Sequence, residues 1–251
     1  MLIMRGRYAR MIPTPVTTCA FLASLYCSSA HSAPLATSAS PLQRIEREKL
    51  CVTNGVVSAL PNGSLAIDTP SSRAVLRVAT TQTAEIRFRY LGPSEGSKPL
   101  ASGELRRQIG LKLRAQDTCN LLYAMWHIEP DSKIAVSIKR NAGKHTHEEC
   151  GAGGYLNIKP KTSVALPKVA PGESHTLRAE LRGTELSLVA DGKPVWEGTV
   201  GSGIAAFDGP VGFRTDNARF IFEYYAGGPT PGSDLSPPAT KVNRCSPSPG
   251  D

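Results

Sequence analysis

The chain lacks most of the short patterns that announce a chemistry. It contains no CxxC pair, which removes the usual zinc-ribbon and dithiol sites. No P-loop or dinucleotide fingerprint is present, and no serine-nucleophile elbow is expected. No D-x-D-x-D run offers calcium a loop of carboxylates. An amphipathic helix of three turns is missing throughout, and so is any 20–50-residue repeat, which argues against bundles and solenoids. Apolar runs stop short of the ~20 residues that a membrane span needs. Aromatic residues make up only 6%, with Trp126 and Trp196 the two tryptophans. No cofactor is expected from these absences.

What is present begins with an export signature. Arg5, Arg7 and Arg10 precede a modest apolar core over 16–26, and Ser28, Ser29, Ala30, Ser32 and Ala33 follow. That is the layout of a secretory signal peptide over residues 1–32, cut somewhere within 30–33. A secreted or periplasmic protein with no membrane span is the expectation. Losing the segment removes three of the 29 Lys and Arg and no carboxylate, so the net charge falls from +8 to +5. A mildly basic chain favours acidic partners without demanding nucleic acid, and none is expected here. Oligomeric state is not legible. Four cysteines remain, and an even number in an oxidising compartment suggests two disulfides with three connectivities. The expected pairs are Cys119–Cys150 and Cys51–Cys245, the second pinning the two ends together.

Residues 33–50 read as a linker holding one or two helical turns, and from Cys51 strands dominate. Ala84, Ile86, Phe88 and Tyr90 alternate with Glu85, Arg87 and Arg89. The same period carries Ile109, Leu111 and Leu113, then Leu122, Ala124, Trp126 and Ile128, then Ile134, Val136 and Ile138. Strict alternation is the mark of half-buried antiparallel strands. Asn62-Gly63 and Asp191-Gly192 supply hairpin turns. The sandwich is expected over 51–227, and 228–251 is a Pro/Gly-rich tail tethered by Cys245.

Residues 175–225 are the most informative stretch. A strand over 176–182, a Gly183-Thr184 turn, a second strand to Ala190, the Asp191-Gly192-Lys193 hairpin and the run Gly209-Pro210-Val211-Gly212-Phe213-Arg214-Thr215-Asp216-Asn217 follow one another. This order resembles the last strands of concanavalin A-like lectin/glucanase sandwiches, nearest to 3-keto-disaccharide hydrolase-like domains. The resemblance implies an all-β, antiparallel two-sheet jelly roll, with carbohydrate as the ligand class on the outer face of one sheet.

If the central strands were neighbours, the residues opposite the core set would share one face, because side chains two apart on a strand point the same way. That set yields Arg87, Arg89, Arg114, Tyr123, His127 and Lys139 as ligand-binding candidates, with Lys112 and Met125 beside them. Guanidinium groups clasp carboxylates and sulfates, and aromatic rings pack on sugar faces, so an acidic extracellular glycan is the expected partner. A solvated sandwich face also carries Lys and Arg by default. Trp126 is expected in the core; Trp196 is either an exposed platform or edge packing. Asp216-Asn217 is expected to cap a turn.

Catalytic patterns fit less well. The three-acid strand motif of the glucanases has its nearest counterpart in Glu129-Pro130-Asp131, which lacks the third acid and reads as a turn. Glu104-Leu105-Arg106-Arg107, Gln108-Ile109-Gly110 and Tyr155-Leu156-Asn157-Ile158-Lys159 loosely resemble alginate-lyase motifs, with Gly110 standing where that pattern has a histidine. Tyr123, His127 and Arg114 form a second lyase-like trio. His145, His147 and Glu149 have metal-ligand character, but in a polar loop beside Cys150 they are not expected to hold one. Non-catalytic glycan recognition leads. A polysaccharide-active enzyme, lyase before hydrolase, comes next, and a structural or protein-binding envelope protein third.

Overall fold

The structure, a computed structural model, describes residues 41–228. In chain order its strands are β1 (Gln43–Arg44), β2 (Leu50–Asn54), β3 (Ser58–Ala59), β4 (Leu65–Ile67), β5 (Ser71–Leu76), β6 (Thr83–Pro93), β7 (Arg107–Leu113) and β8 (Leu121–Glu129). Then come β9 (Lys133–Lys139), β10 (Tyr155–Asn157), β11 (Thr162–Ser163), β12 (Ser174–Arg182), β13 (Glu185–Ala190), β14 (Lys193–Thr199), β15 (Gly212–Asp216) and β16 (Ala218–Ala226). One antiparallel sheet has nine strands in the order β11-β14-β13-β12-β6-β16-β4-β3, with β1 also on β16. The other has seven, in the order β10-β9-β8-β7-β15-β5-β2. Together they form a jelly-roll sandwich.

The alternation read from the sequence is what closes this sandwich. Ile86, Phe88 and Tyr90 of β6 face inward, as do Phe220, Phe222 and Tyr224 of β16, all essentially without solvent exposure. They meet Ile109, Leu111, Leu122, Ala124, Trp126 and Phe213 from the other sheet in one core. Phe88 meets Trp126 edge-on with ring centroids 5.6 Å apart, and Phe213 meets Phe222 at 5.0 Å. Each such ring removes well over 100 Å² of apolar surface from water, and edge-on pairs add about 0.5–1.5 kcal/mol beyond that.

Turn chemistry pins the register. Asp191 and Gly192 take positive φ of 49° and 76° between β13 and β14, as a two-residue hairpin of the primed kind requires. Asn217 at φ 55° turns β15 directly into β16, so the chain passes from one sheet to the other in a single residue. Its side chain bridges Lys98 and Arg106 through their backbone groups.

The sandwich begins before Cys51. Gln43 and Arg44 pair with Ala226 and Tyr225, and the helical segment of the expected linker is a single 3-10 turn, Arg47–Lys49. Cys119 and Cys150 are joined, with Cα atoms 5.9 Å apart. For the expected Cys51–Cys245 pair, Cys51 is buried on β2, and Cys245 lies outside the described residues, as do the export segment and the tail. Among the described residues no helix is long and apolar enough to cross a membrane.

Candidate functional site

A cleft of about 940 Å³ opens on the outer face of the seven-stranded sheet. Its floor is set by strand register. Tyr123, Met125 and His127 project outward from β8 because Leu122, Ala124, Trp126 and Ile128 project into the core. On β7, Gln108 stands opposite His127, Gly110 opposite Met125 and Lys112 opposite Tyr123. On β15, Asp216 stands opposite Gln108 and Arg214 opposite Gly110. Arg73 of β5 completes the second row beside Arg214. The cross-strand rows therefore read Asp216–Gln108–His127 and Arg73–Arg214–Gly110–Met125.

Gly110 makes the second row possible. A Cβ there would sit 2.4 Å from the Ala124 carbonyl oxygen and 2.6 Å from the Met125 Cα. The bare backbone lets the neighbouring strands close up and leaves floor space beside Arg214.

Asp216, 1% exposed, is the anchor of the floor. It accepts from Arg214 Nε at 2.7 Å and from Gln108 Nε2 at 2.6 Å, and Arg73 Nη2 lies 3.6 Å away. Burial alone would raise its pKa, but Arg214, Arg73 and these hydrogen bonds outweigh that and hold the carboxyl below its ordinary value. Burial likewise opposes the charge on Arg214, and the carboxylate overcomes it. The Arg214 guanidinium lies over the Tyr123 ring at 5.2 Å, and its Nη1 donates to the Tyr155 hydroxyl at 3.3 Å.

His127, 6% exposed, has its pKa lowered to about 3 by burial first and then by Arg106 and Lys133. Its ring is neutral at physiological pH. Glu104 is held below the ordinary carboxylate value by its hydrogen bond from Arg106. Arg106 Nη1 also reaches His127 Nε2 at 3.4 Å.

At the far end, Lys139 Nζ donates to the Thr118 carbonyl at 3.0 Å and the Gly151 carbonyl at 2.8 Å. Those carbonyls flank the two cysteines of the disulfide, so the covalent bridge frames the lysine's cradle. Lys139 Nζ lies 5.5 Å from the Tyr155 ring centroid, and Tyr155 stacks on Tyr123 at 6.0 Å. Tyr155 remains 43% exposed, an aromatic face at the cleft wall. Five cationic side chains line the cleft: Arg73, Arg106, Lys133, Lys139 and Arg214.

Of the residues the sequence singles out, the structure brings together Tyr123, His127 and Lys139. It separates the other three. Arg87 and Arg89 lie on β6 in the nine-stranded sheet, on the opposite side of the molecule. The chain crosses between sheets after β6, so neighbours in sequence are not neighbours in space. Arg87 is bound to Glu85 at 2.7 Å and lies over Tyr225, and Arg89 donates to the Gly172 carbonyl. Arg114 takes φ 46° just past β7 and donates to the Phe207 carbonyl, at the end of the sandwich and outside the cleft. That also dissolves the Tyr123/His127/Arg114 trio.

Sequence reasoning missed Arg214, Asp216, Gln108 and Arg73 as floor residues. Asp216 is no turn cap; Asn217 alone has that role. The signal was the alternation in Gly212-Phe213-Arg214-Thr215-Asp216, where Phe213 marks the core face and thereby sends Arg214 and Asp216 outward. Trp196 is 3% exposed and packs at the sandwich edge. His145 Nδ1 bonds Asp117 at 2.8 Å, while Glu149 accepts the backbone N–H groups of His145 and Thr146 to cap the His147–Cys150 turn. Among the described residues no three His, Cys, Asp or Glu side chains converge on a metal position. The spelling G-x-S-x-G does occur once, at Gly92 to Gly96, but Ser94 is buried, its hydroxyl lies near Ser97, and β-structure rather than a strand–turn–helix elbow surrounds it.

No protein-family model and no curated protein matches the chain. Solved structures do. The carbohydrate-binding module CBM66 from Bacillus subtilis aligns with 69% of this chain and 91% of its own, at 16% identity and a TM-score of 0.49. The carbohydrate recognition domain of Emp46p aligns with 73% and 89%, at 12% identity and 0.46. The Crh5 transglycosylase aligns with 78% and 87%, at 11% identity and 0.47. These likenesses concern the fold alone. With two antiparallel sheets, an inward-facing aromatic core and the strand order given above, the chain is an all-β, two-sheet jelly-roll sandwich.

Proposed function

We propose that this protein is an exported, non-catalytic glycan-recognition protein that binds acidic oligosaccharides in the cleft of the seven-stranded sheet. The observation that carries the reading is the lining of that cleft: five cations surround it against three neighbouring carboxylates, Asp216 and Glu104, which arginines bind, and Asp131, 4.0 Å from Lys133. Lys133, 55% exposed at the rim, and Arg106 are the cations best placed to meet a uronate or sulfate group. Tyr155, at the Lys139 end of the cleft, offers its ring to a sugar face. A polar, cationic floor with one exposed aromatic wall suits a hydrated, anionic, ring-shaped ligand better than an apolar one.

The chemistry of the floor supports binding over turnover. Asp216 and Glu104 are both held ionised, so neither carries a proton to donate to a leaving group at neutral pH. The test is titration of uronate and sulfated oligosaccharides, with neutral counterparts, at two salt concentrations. Salt-sensitive binding of the acidic series is expected, because exposed charges are screened within ~8–10 Å at physiological ionic strength. Equal binding of neutral and acidic sugars at both salts would count against the reading.

One observation favours a second reading, polysaccharide lysis. Arg106, Gln108 and Tyr155, from the three fragments that loosely resemble lyase motifs, all line this one cleft, with His127 among them. Against it, the only lone pair of the neutral His127 ring faces Arg106, which can only donate, so the ring has no base to offer. Growth of unsaturated-end absorbance during incubation with uronate polymers decides between the two.

A further inference from the structure

Two polar atoms in the cleft floor have no partner among the described residues, and their chemistry is forced by what their other ends touch. Gln108, 3% exposed, must turn its amide nitrogen to the Asp216 carboxylate, 2.6 Å away, because a carboxylate only accepts. Its Oε1 is thereby left as a buried acceptor with no hydrogen bond. His127 presents Nε2 to Arg106, which only donates, so the ring proton sits on Nδ1. Nδ1–H is a buried donor, also without a hydrogen bond. Gln108 and His127 stand directly opposite each other on β7 and β8, a spacing that puts Cβ atoms about 4.5–5.5 Å apart. Both side chains line the cleft.

We propose that Gln108 and His127 form a hydroxyl-reading subsite, in which one uncharged sugar hydroxyl donates to Gln108 Oε1 and accepts from His127 Nδ1. A hydroxyl is the simplest group that does both at once. A carboxylate or sulfate cannot, since it has no proton for Gln108. The inference rests on the acidic-glycan reading and sharpens it: the ligand carries its anionic group toward Arg106 and Lys133 and a free ring hydroxyl toward the β7–β8 floor. Burial and the neighbouring cations keep the His127 ring neutral, so this discrimination holds across the physiological pH range.

The test compares trigalacturonate and a chondroitin sulfate tetrasaccharide with versions lacking one ring hydroxyl each. For a probe that binds, one deoxy position is expected to cost the wild-type protein about tenfold or more in affinity, the effect of leaving buried polar groups unpaired. In His127→Leu that difference shrinks to what the Gln108 Oε1 bond alone supplies, and in His127→Asn, which restores a donor near Nδ1, it returns in part. Should the leucine variant fail to fold, the wild-type imidazole Nδ1–H resonance gives an independent reading, shifting with the parent probe and not with the critical deoxy probe. If every deoxy probe binds as tightly as its parent, the pair holds an internal water only and the subsite is wrong while the acidic-glycan reading survives. If neither parent probe binds, both fall.

Discussion

Asp216 organises the cleft floor, because Arg214, Arg73 and Gln108 all converge on its carboxylate. Removing it leaves two guanidinium groups facing each other with no counter-charge. Asp216→Ala is therefore expected to destabilise the fold by about 3–5 kcal/mol, read as a shift in urea midpoint at unchanged slope. A shift under about 1 kcal/mol would mean that solvent reaches the arginines and the network is not buried. His127 gives the floor a pH signature. Its folded pKa of about 3 lies below the ordinary 6.5, so the unfolded chain binds the extra proton between those values. Its contribution is complete above pH 6.5 and is lost as pH falls toward 3, with a slope of up to about 1.4 kcal/mol per pH unit. Asp216, also depressed, acts in the same sense only below its ordinary value of 3.8. His145, raised by the hydrogen bond it donates to Asp117, acts oppositely at higher pH but is exposed. Chemical denaturation of His127→Leu between pH 7 and 4 should show a flatter profile than the wild type. An unchanged profile would place the acid sensitivity elsewhere.

At the level of elements, the cleft depends on two features that are not themselves ligands. Gly110 lets β7 and β8 approach and clears floor space next to Arg214. Gly110→Val forces a branched side chain against the Ala124 carbonyl and should lower stability by roughly 1–3 kcal/mol, as overpacking does. The Cys119–Cys150 bridge joins residues 31 apart in sequence and frames the carbonyls that hold Lys139. By the chain-entropy model it stabilises by about 3–4 kcal/mol. Reduction with a dithiol is expected to lower the melting temperature and also to weaken acidic-glycan affinity, as Lys139 and the Tyr155 ring lose their frame. Weakened stability with unchanged affinity would separate the bridge from the site. Legibility in the sequence divides at this scale. Period-two alternation and the Asp191-Gly192 turn are local, so β6 to β9 and the β13–β14 hairpin could be read directly. Which strands lie side by side depends on crossovers between sheets, and no local pattern encodes that. Arg87 and Arg89 were misplaced for this reason, although their outward direction was legible. Arg214 and Asp216 were hidden by a short strand whose alternation is carried by Phe213 alone.

Across the whole molecule the two outer faces treat charge differently. The nine-stranded face matches its cations to carboxylates on the same surface, as in Arg87–Glu85, Arg182–Glu180 and Arg44–Glu223. Such exposed pairs contribute little to stability, but they set a carboxylate against each of those three cations. The cleft of the seven-stranded face gathers five cations against three neighbouring carboxylates, Asp216, Glu104 and Asp131, each already facing one of them. Salt-dependent attraction of an anionic ligand should therefore be local to one side. The most direct test measures trigalacturonate and chondroitin sulfate affinity for the oxidised chain, for Lys133→Glu with Tyr155→Ala in the cleft, and for Arg87→Glu with Arg89→Glu on the other face. The account predicts that the cleft variant loses at least about tenfold in affinity and much of its salt dependence, while the opposite-face variant binds as the wild type does. Loss in the Arg87/Arg89 variant with an unaffected cleft variant would contradict it and move the binding surface to the nine-stranded sheet.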